Sequence, residues 1–443
     1  VWKLSDVTNY KRQGTWPVPL SGHQVANSCR FNSGSSDNLS ISLSSTATNN
    51  KKGTLSFWFK SQGVNQQYPI AKSAGTIFYL YFNSSSQLVW QNASTNTRIT
   101  SQVFRDPTAW GNLVINFDTT QSTAANRQKM FYNGTEITSF GTSSDLSLNQ
   151  VVSIFDGDSG ARQISGYTGG GYWSGYMSEV VGIDGLQLDP TSFGETDSVT
   201  NNWVPKDVSG LTFGNNGFYL PFTNASALGE DFSGEDNDFT ANNLTSIDQS
   251  IDTCTNNFCT LNPLDIGGGS YTFSNGNTTI NTDGGLQSTF SVGQGKWYAE
   301  FKLTGSVNYG IGIRQQNYAI SQGYGTGGKS AVLHLDEVNF YKNGSSTASY
   351  GSAWSTGDVI QVAADLDNNN IYFGKNGSWW NGSAFSSSIP STAQSIDDID
   401  NYTFSIILVA SGAGNVDANF GSPAYAISSG NVDSSGMGNF EYA

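Results

Sequence analysis

At three places the chain writes an aromatic-rich run and then breaks it with Asn-Gly: Phe131-Tyr132-Asn133-Gly134, Phe340-Tyr341-Lys342-Asn343-Gly344 and Ile371-Tyr372-Phe373-Gly374-Lys375-Asn376-Gly377. Asn and Gly tolerate positive φ, and a tight primed turn between antiparallel strands needs that conformation at both of its central residues. The sequence therefore predicts antiparallel β structure, in two units. Sandwiches of this kind present loops at their rims, and such loops more often bind than transform.

Period-two patterning agrees. Leu55, Phe57 and Phe59 point one way while Ser56 and Lys60 point the other, and Leu113, Ile115 and Phe117 repeat the pattern of a half-buried strand. Ile77-Phe78-Tyr79-Leu80-Tyr81-Phe82 is apolar on both faces, which predicts a central strand covered on each side. Helix-period stretches are almost absent, and short strands at regular spacing favour a sandwich or jelly roll.

The organisation reads as an N-terminal segment 1–21, a first jelly roll 22–190, a connector 191–262, a second sandwich 263–425 and a Gly/Ser-rich tail 426–443. Pro190, Pro205, Pro221 and Pro263 punctuate the connector region, which is expected to wrap the first sandwich, with Phe218-Tyr219-Leu220-Pro221-Phe222 adding a strand. Trp297 to Phe301, Val332 to Leu335, Val359 to Leu366 and Phe404 to Val409 are the clearest strands of the second block. The tail, lacking periodicity, is expected to be a linker or a loosely docked end.

At 443 residues the chain has room for two or three domains. Charged residues make up only 12% while aromatics reach 13%, so neutral hydrogen-bonding side chains carry solubility, as in an extracellular or virion β protein. A net charge of −15, from 20 Lys+Arg against 35 Asp+Glu, repels phosphate backbones and acidic membranes and argues against nucleic acid as a partner. The longest strongly apolar stretch, Phe404 to Ala410, falls far short of the roughly 20 residues of a membrane helix, so no membrane insertion is expected. The start shows no signal-peptide pattern, and a chain beginning at Val1 is read as a processed or excerpted piece. Cys29, Cys254 and Cys259 are too few for a disulfide framework; reduced thiols are the preferred reading, with a Cys254–Cys259 bridge as the alternative.

Leu55-Ser56-Phe57-Trp58-Phe59-Lys60, Trp110 with Leu113-Val114, the Met130-to-Gly134 hairpin and Gly175-Tyr176-Met177-Ser178-Glu179-Val180, in that order, resemble the laminin-G-like, concanavalin-type jelly roll. Gly295-Lys296-Trp297-Tyr298-Ala299-Glu300-Phe301, Gly310-Ile311-Gly312-Ile313, Gly357-Asp358-Val359-Ile360, Asp365-Leu366-Asp367 and Asn419-Phe420-Gly421 resemble a SPRY domain, with Gln361 departing from the small residue usual there. The arrangement, with the connecting sequences Leu188 to Asp197 and Thr255 to Asp265, is similar to large structural proteins of marine bacteriophages. That resemblance implies a virion fibre or adhesin-like protein.

Only two histidines, His23 and His334, are available for an activated nucleophile. His334 sits in an apolar strand and His23 in a Gly-flanked loop, so neither supports one. A concanavalin-type glycosidase would need two carboxylates about 5 to 9 Å apart. Asp365 and Asp367 have the spacing, but in the SPRY-like reading they end a strand and start a turn. Calcium is the candidate cofactor, held by Asp156 and Asp158 after Ile154-Phe155, or by Asp231, Glu235, Asp236 and Asp238; the alternative for both groups is solvated Asx turns. Tyr167, Tyr172 and Trp173 in the Gly166-to-Gly175 loop and Trp379 and Trp380 past a hairpin are the candidate ligand-binding aromatics, the alternative being that they cap sandwich ends.

The expectation is an all-β chain of two tandem concanavalin-like antiparallel β-sandwiches (jelly rolls) joined by an irregular connector. The expected role is a non-enzymatic, homo-oligomeric phage protein on the virion surface that binds a host glycan or envelope component. An architectural subunit contacting other virion subunits is the second reading, and a secreted carbohydrate-active enzyme the third.

Overall fold

The computed structural model describes residues 22–442 apart from 64–65, 159, 283, 306–308, 317–328, 351–352, 388–392, 400, 409–413 and 434–435. The predicted segment 1–21 lies outside the described residues. The three Asn-Gly pairs singled out above form the expected turns: φ is +47, +51 and +49 at Asn133, Asn343 and Asn376, and +75, +83 and +82 at the glycines that follow. They join Gln128–Tyr132 to Thr135–Glu136, Asn339–Lys342 to Ser345–Ser349, and Asn370–Lys375 to Ser378–Trp380. Among the described residues helical structure is limited to five short 3-10 turns, and no helix is long and apolar enough to cross a membrane. The protein is all-β and divides into two compact units between Asn257 and Phe258.

In the first unit, sheet I runs in the order Thr135–Glu136, Gln128–Tyr132, Gly111–Asp118, Lys52–Ser61, Gly175–Asp184, Ser28–Phe31, Gln249–Ser250. Sheet II runs Phe140–Ser143, Thr95–Val103, Gln87–Asn92, Phe78–Phe82, Gln67–Lys72, Arg162–Ile164, Asn38–Ile41, Thr240–Asn242. Leu55, Phe57, Phe59, Leu113, Ile115 and Phe117 from sheet I meet Phe78, Leu80, Phe82 and Trp90 from sheet II in one buried core, so the alternation read from sequence holds. The strand Phe78–Phe82 is central, as predicted, but it is not covered on both sides: Tyr79 and Tyr81 stay half-exposed on the outer face of sheet II. Phenol rings can stand there because the hydroxyl is solvated while the ring packs on its neighbours.

The connector belongs to the first unit. Phe218–Leu220 pairs with Gly175–Asp184, Thr240–Asn242 with Asn38–Ile41, and Gln249–Ser250 with Ser28–Phe31. Phe193, Val208, Phe213 and Tyr219 from this segment close over Val114, Phe131, Val181 and Ile183 on the outer face of sheet I. Each such side chain gains roughly 1.5–3 kcal/mol when fully buried, which holds a segment with little regular structure of its own.

In the second unit a seven-stranded sheet runs from Leu261–Ile266 to Ser345–Ser349 and faces a nine-stranded sheet whose centre is Lys296–Leu303, Val359–Asp365 and Asn370–Lys375, as counted among the described residues. Gln361, the departure noted in sequence, is fully buried and its Oε1 accepts from Gly377 N at 2.7 Å, so it braces the Asn-Gly turn. The chain after Tyr425 is not a loose end. Asn431–Val432 pairs with Asn439–Phe440, Phe440 is buried edge-on to Tyr298 at 5.0 Å, and the buried Glu300 carboxylate accepts from Glu441 N and Tyr442 N at 3.0 and 2.6 Å. A buried carboxylate needs such donors, so the tail completes this unit electrostatically as well as sterically.

Candidate ligand-binding site

The outer face of sheet II gathers tyrosines. In Gln67–Lys72 the register shifts, with Gln67 opposite Phe82 and Ile70 opposite Leu80. Both of those partners point into the core, so the extra residue turns Tyr68 outward, which is what a β-bulge does to a side chain. Tyr68 stacks on Tyr81 at 4.7 Å and meets Tyr79 edge-on at 5.4 Å. Tyr167, from the Gly-rich loop, completes the group at 4.6 Å from Tyr68 and 5.4 Å from Tyr79. The loop is tied down where Tyr68 N donates to Gly171 O at 2.9 Å, and a Cβ on Gly171, at φ +62, would strike the Tyr68 ring at 2.5 Å. Only glycine fits there.

Amides border the rings. Gln66 Nε2 donates to Tyr68 Oη at 2.8 Å, Gln91 lies opposite Tyr79 and Asn96 opposite Gln91, and Gln163 is opposite Ala71, itself opposite Tyr79. Burial raises the pKa of the Tyr68 and Tyr81 phenols, which keeps them as donors. The eight strands of sheet II contain no Asp or Glu. Their cations Lys72, Arg98 and Arg162 are buried and paired with Asp158 or Asp145. An uncharged surface of aromatic faces fringed by hydroxyls and carboxamides can stack on a sugar ring and hydrogen-bond its hydroxyls.

Of the aromatics singled out in sequence, Tyr167 belongs to this face and Tyr172, half-buried, lies against Gly166. The others are corrected. Trp173 is fully buried between Phe59 and Phe82 at 5.9 and 5.7 Å. Trp379 and Trp380 lie in a strand rather than a loop and are both buried, so alternation sends them to opposite faces. Trp380 enters the core, stacked on Tyr350 at 4.7 Å, while Trp379 walls a cavity of about 660 Å³ with Trp297, Tyr298, Tyr372, Phe420 and Phe440. Sequence reasoning missed Tyr68, Tyr79 and Tyr81. The i, i+2 tyrosines were a usable signal, and Pro69 inside a strand marks the bulge.

Four of the six predicted calcium ligands are engaged by protein donors. Asp158 is consumed by Lys72 and Arg162 at 2.8 and 2.9 Å, which together with Gly160 N hold its carboxylate low; Asp156 Oδ1 accepts from Asn50 Nδ2 at 3.1 Å. Asp231 accepts from Tyr219 N, Ser233 N, Ser233 Oγ and Asn237 N at 2.7 to 2.9 Å, and Asp238 Oδ1 accepts from Asp231 N at 2.8 Å. Glu235 and Asp236 are left exposed in the turn. Among the described residues no group of three His, Cys, Asp or Glu side chains could hold a metal ion. The carboxylates of Asp158, Asp231 and Asp238 serve as acceptors that hold their own turns.

Other polar candidates are structural. Asp365 accepts from Asn368 and Asp367 Oδ1 accepts from Gly295 N at 2.8 Å, both as turn anchors. His334 is buried 3.3 Å from Asp336, and burial lowers its pKa. None of the three cysteines is in a disulfide. Glu179, quoted above within a motif but not singled out as a site residue, occupies a bulge in Gly175–Asp184 at φ +48, buried, accepting from Tyr219 Oη at 2.8 Å with His23 Nε2 3.6 Å away.

Residues 33–182 match the family model of the concanavalin A-like lectin/glucanases superfamily, and residues 296–391 match that of the SPRY domain. Among solved structures, the chain is similar to the SPRY domain of human HERC1 at 16% identity and TM-score 0.28, covering 36% of this chain and 96% of that one. It is similar to a heptameric SAP-like pentraxin from Limulus polyphemus at 17% identity and TM-score 0.26, covering 38% and 76%, and to the TRIM65 PSpry domain at 12% and 0.26, covering 36% and 91%. The chain carries a laminin-G/concanavalin-like domain followed by a SPRY domain.

Proposed function

We propose that this is a non-enzymatic binding protein that recognises a neutral glycan on the outer face of sheet II, and that it serves on a phage virion surface in attachment to a host glycan or envelope component. The observation that carries the reading is the convergence of Tyr68, Tyr79, Tyr81 and Tyr167 on a face whose strands hold no acidic residue. Hydrolysis in a concanavalin-type cleft takes a pair of opposed carboxylates, and these strands supply neither. Stacking needs no charge and tolerates a ring that presents both apolar C–H and hydroxyl groups. The virion setting and a homo-oligomeric state rest on the resemblance of the connecting sequences to marine phage structural proteins.

The test is a glycan array probed with the full chain and with the double variant Tyr79→Ala/Tyr81→Ala. Binding to neutral glycans that the variant loses supports the reading. Absence of glycan binding together with stable association with other virion subunits would favour the architectural role, and sugar release from polysaccharides would replace both with an enzyme.

A further inference from the structure

Lys60 is a buried lysine near the end of the strand Lys52–Ser61, with a side chain only 1% exposed. Its Nζ donates to Asp252 Oδ2 at 2.8 Å and to Asn257 Oδ1 at 2.8 Å, partners drawn from the far end of the same unit. Asp252 is equally buried and its second oxygen accepts from Trp110 Nε1 at 2.9 Å. Asn257 donates through Nδ2 to Thr108 O at 2.9 Å, so the short stretch Thr108 to Trp110 fixes both the carboxylate and the carboxamide. The Tyr176 ring lies 5.7 Å from Nζ. An amine, a carboxamide and a carboxylate are thus held together beside aromatic side chains.

We infer that Lys60 and Asn257 become joined by an intramolecular isopeptide bond, with Asp252 as the proton carrier. With the carboxamide oxygen 2.8 Å from Nζ, its carbon lies within about 4 Å of the amine, close to an attack distance. Nζ passes a proton to Asp252 and, now neutral, attacks Cγ of Asn257. The tetrahedral carbon then collapses with cleavage of the Cγ–Nδ2 bond, and a further proton from Nζ reaches the departing nitrogen, which leaves as ammonia. Asp252 keeps the proton it received and ends neutral. No oxidant, reductant or co-reactant enters. The exchange replaces a buried ion pair, whose desolvation is costly, by a neutral amide and a neutral acid. Asn257 is solvent-exposed as a residue, which gives the ammonia a way out. The bond would close a loop between residues 197 apart, so tension applied to the chain beyond Asn257 would bypass most of the first unit.

The experiment is intact-mass spectrometry of the full chain under denaturing conditions, with peptide mapping. The expected result is a mass one ammonia below that of the sequence and a branched peptide linking Lys60 to Asn257, with Asn257→Ala and Asp252→Asn both at their full sequence masses. Mass is read on denatured protein, so a variant that folds poorly still reports. Wild-type protein at its full mass overturns the proposal. So does a loss of water instead of ammonia, which would place the bond at Asp252, or an ammonia loss that maps to an Asn-Gly site such as Asn133. An Asp252→Asn chain that still cross-links would remove Asp252 from the mechanism.

Discussion

The two outer faces of the first sandwich obey the same alternation and meet opposite fates. On sheet I the outward residues Val114, Phe131, Val181 and Ile183 are buried under the connector, whereas on sheet II the outward Tyr79 and Tyr81 remain half-exposed. Patterning alone marks both as sheet faces; the side-chain chemistry decides which is covered. Side chains with no polar atom cannot hydrogen-bond to water, so their face recruits Phe193, Val208, Phe213 and Tyr219 from a segment with little regular structure. Tyrosine offers a ring to pack and a hydroxyl to solvate, so its face stays open.

If that contrast is right, the covered face should fail first. Truncating Phe213 or Ile183 to alanine removes a side chain buried between connector and sheet and is expected to cost about 2–5 kcal/mol in a denaturant titration of the full chain. A loss under about 1 kcal/mol would mean that the connector is an accessory rather than part of the fold.

The open face should respond the other way round. Tyr79→Ala/Tyr81→Ala is expected to lower stability by no more than about 1–2 kcal/mol while weakening glycan binding tenfold or more, since a tenfold change corresponds to about 1.4 kcal/mol and taking away one stacking ring costs a comparable amount. Replacing both by valine sharpens the comparison. It creates an aliphatic face with no cover, and self-association in sedimentation velocity is the expected outcome. A monodisperse valine variant would show that the phenols are not what permits exposure.

Much of this was legible in sequence. The Asn-Gly turns and the inward sets around Phe57 and Ile115 could be read directly, because a turn conformation and a two-residue period are local properties. The tyrosine face was legible only in part: Tyr79 and Tyr81 show the period and Pro69 marks a bulge, but that the bulge turns Tyr68 outward and that a loop folds back to deliver Tyr167 are tertiary facts. Trp173, Trp379 and Trp380 were misplaced for a related reason: Gly-rich or turn-adjacent sequence suggested exposed loops, while tertiary packing drew the largest apolar side chains inward. The acidic turn was ambiguous because carboxylates that brace backbone amides and carboxylates that bind calcium have the same spacing.

A smaller effect tests how the cover is fastened. His23 and Tyr219 both approach Glu179, and the hydrogen bond to Glu179 raises the pKa of His23 above its ordinary 6.5. A base held protonated in the fold adds stability that is fully present below its unfolded value and is lost as pH rises through the raised one. Stability of the first unit should therefore fall as the pH climbs upward from about 6.5, by less than about 1 kcal/mol because His23 is partly exposed, and His23→Gln should flatten that decline. Asp37, pushed up to about 6 by burial, acts in the same direction over a lower window, since an acid kept protonated in the fold also loses its contribution as the pH rises from about 4 to 6. A decline above pH 6.5 that survives in His23→Gln would detach it from Glu179.

The smallest expected effect is none, and it separates two readings of the acidic turn. Asp231 receives the amide of Tyr219, a residue of the cover, and three further donors from its own turn. If those bonds hold the turn, chelator should leave the melting temperature unchanged, because no cation bridges the carboxylates. Asp231→Asn keeps the turn-forming oxygen but weakens charge-assisted bonds to backbone amides, and should cost about 1–2 kcal/mol with or without chelator. A melting temperature that drops on chelation in the wild type but not in Asp231→Asn would mean instead that the turn closes around a cation, and that the cover of sheet I is fastened by metal rather than by hydrogen bonds.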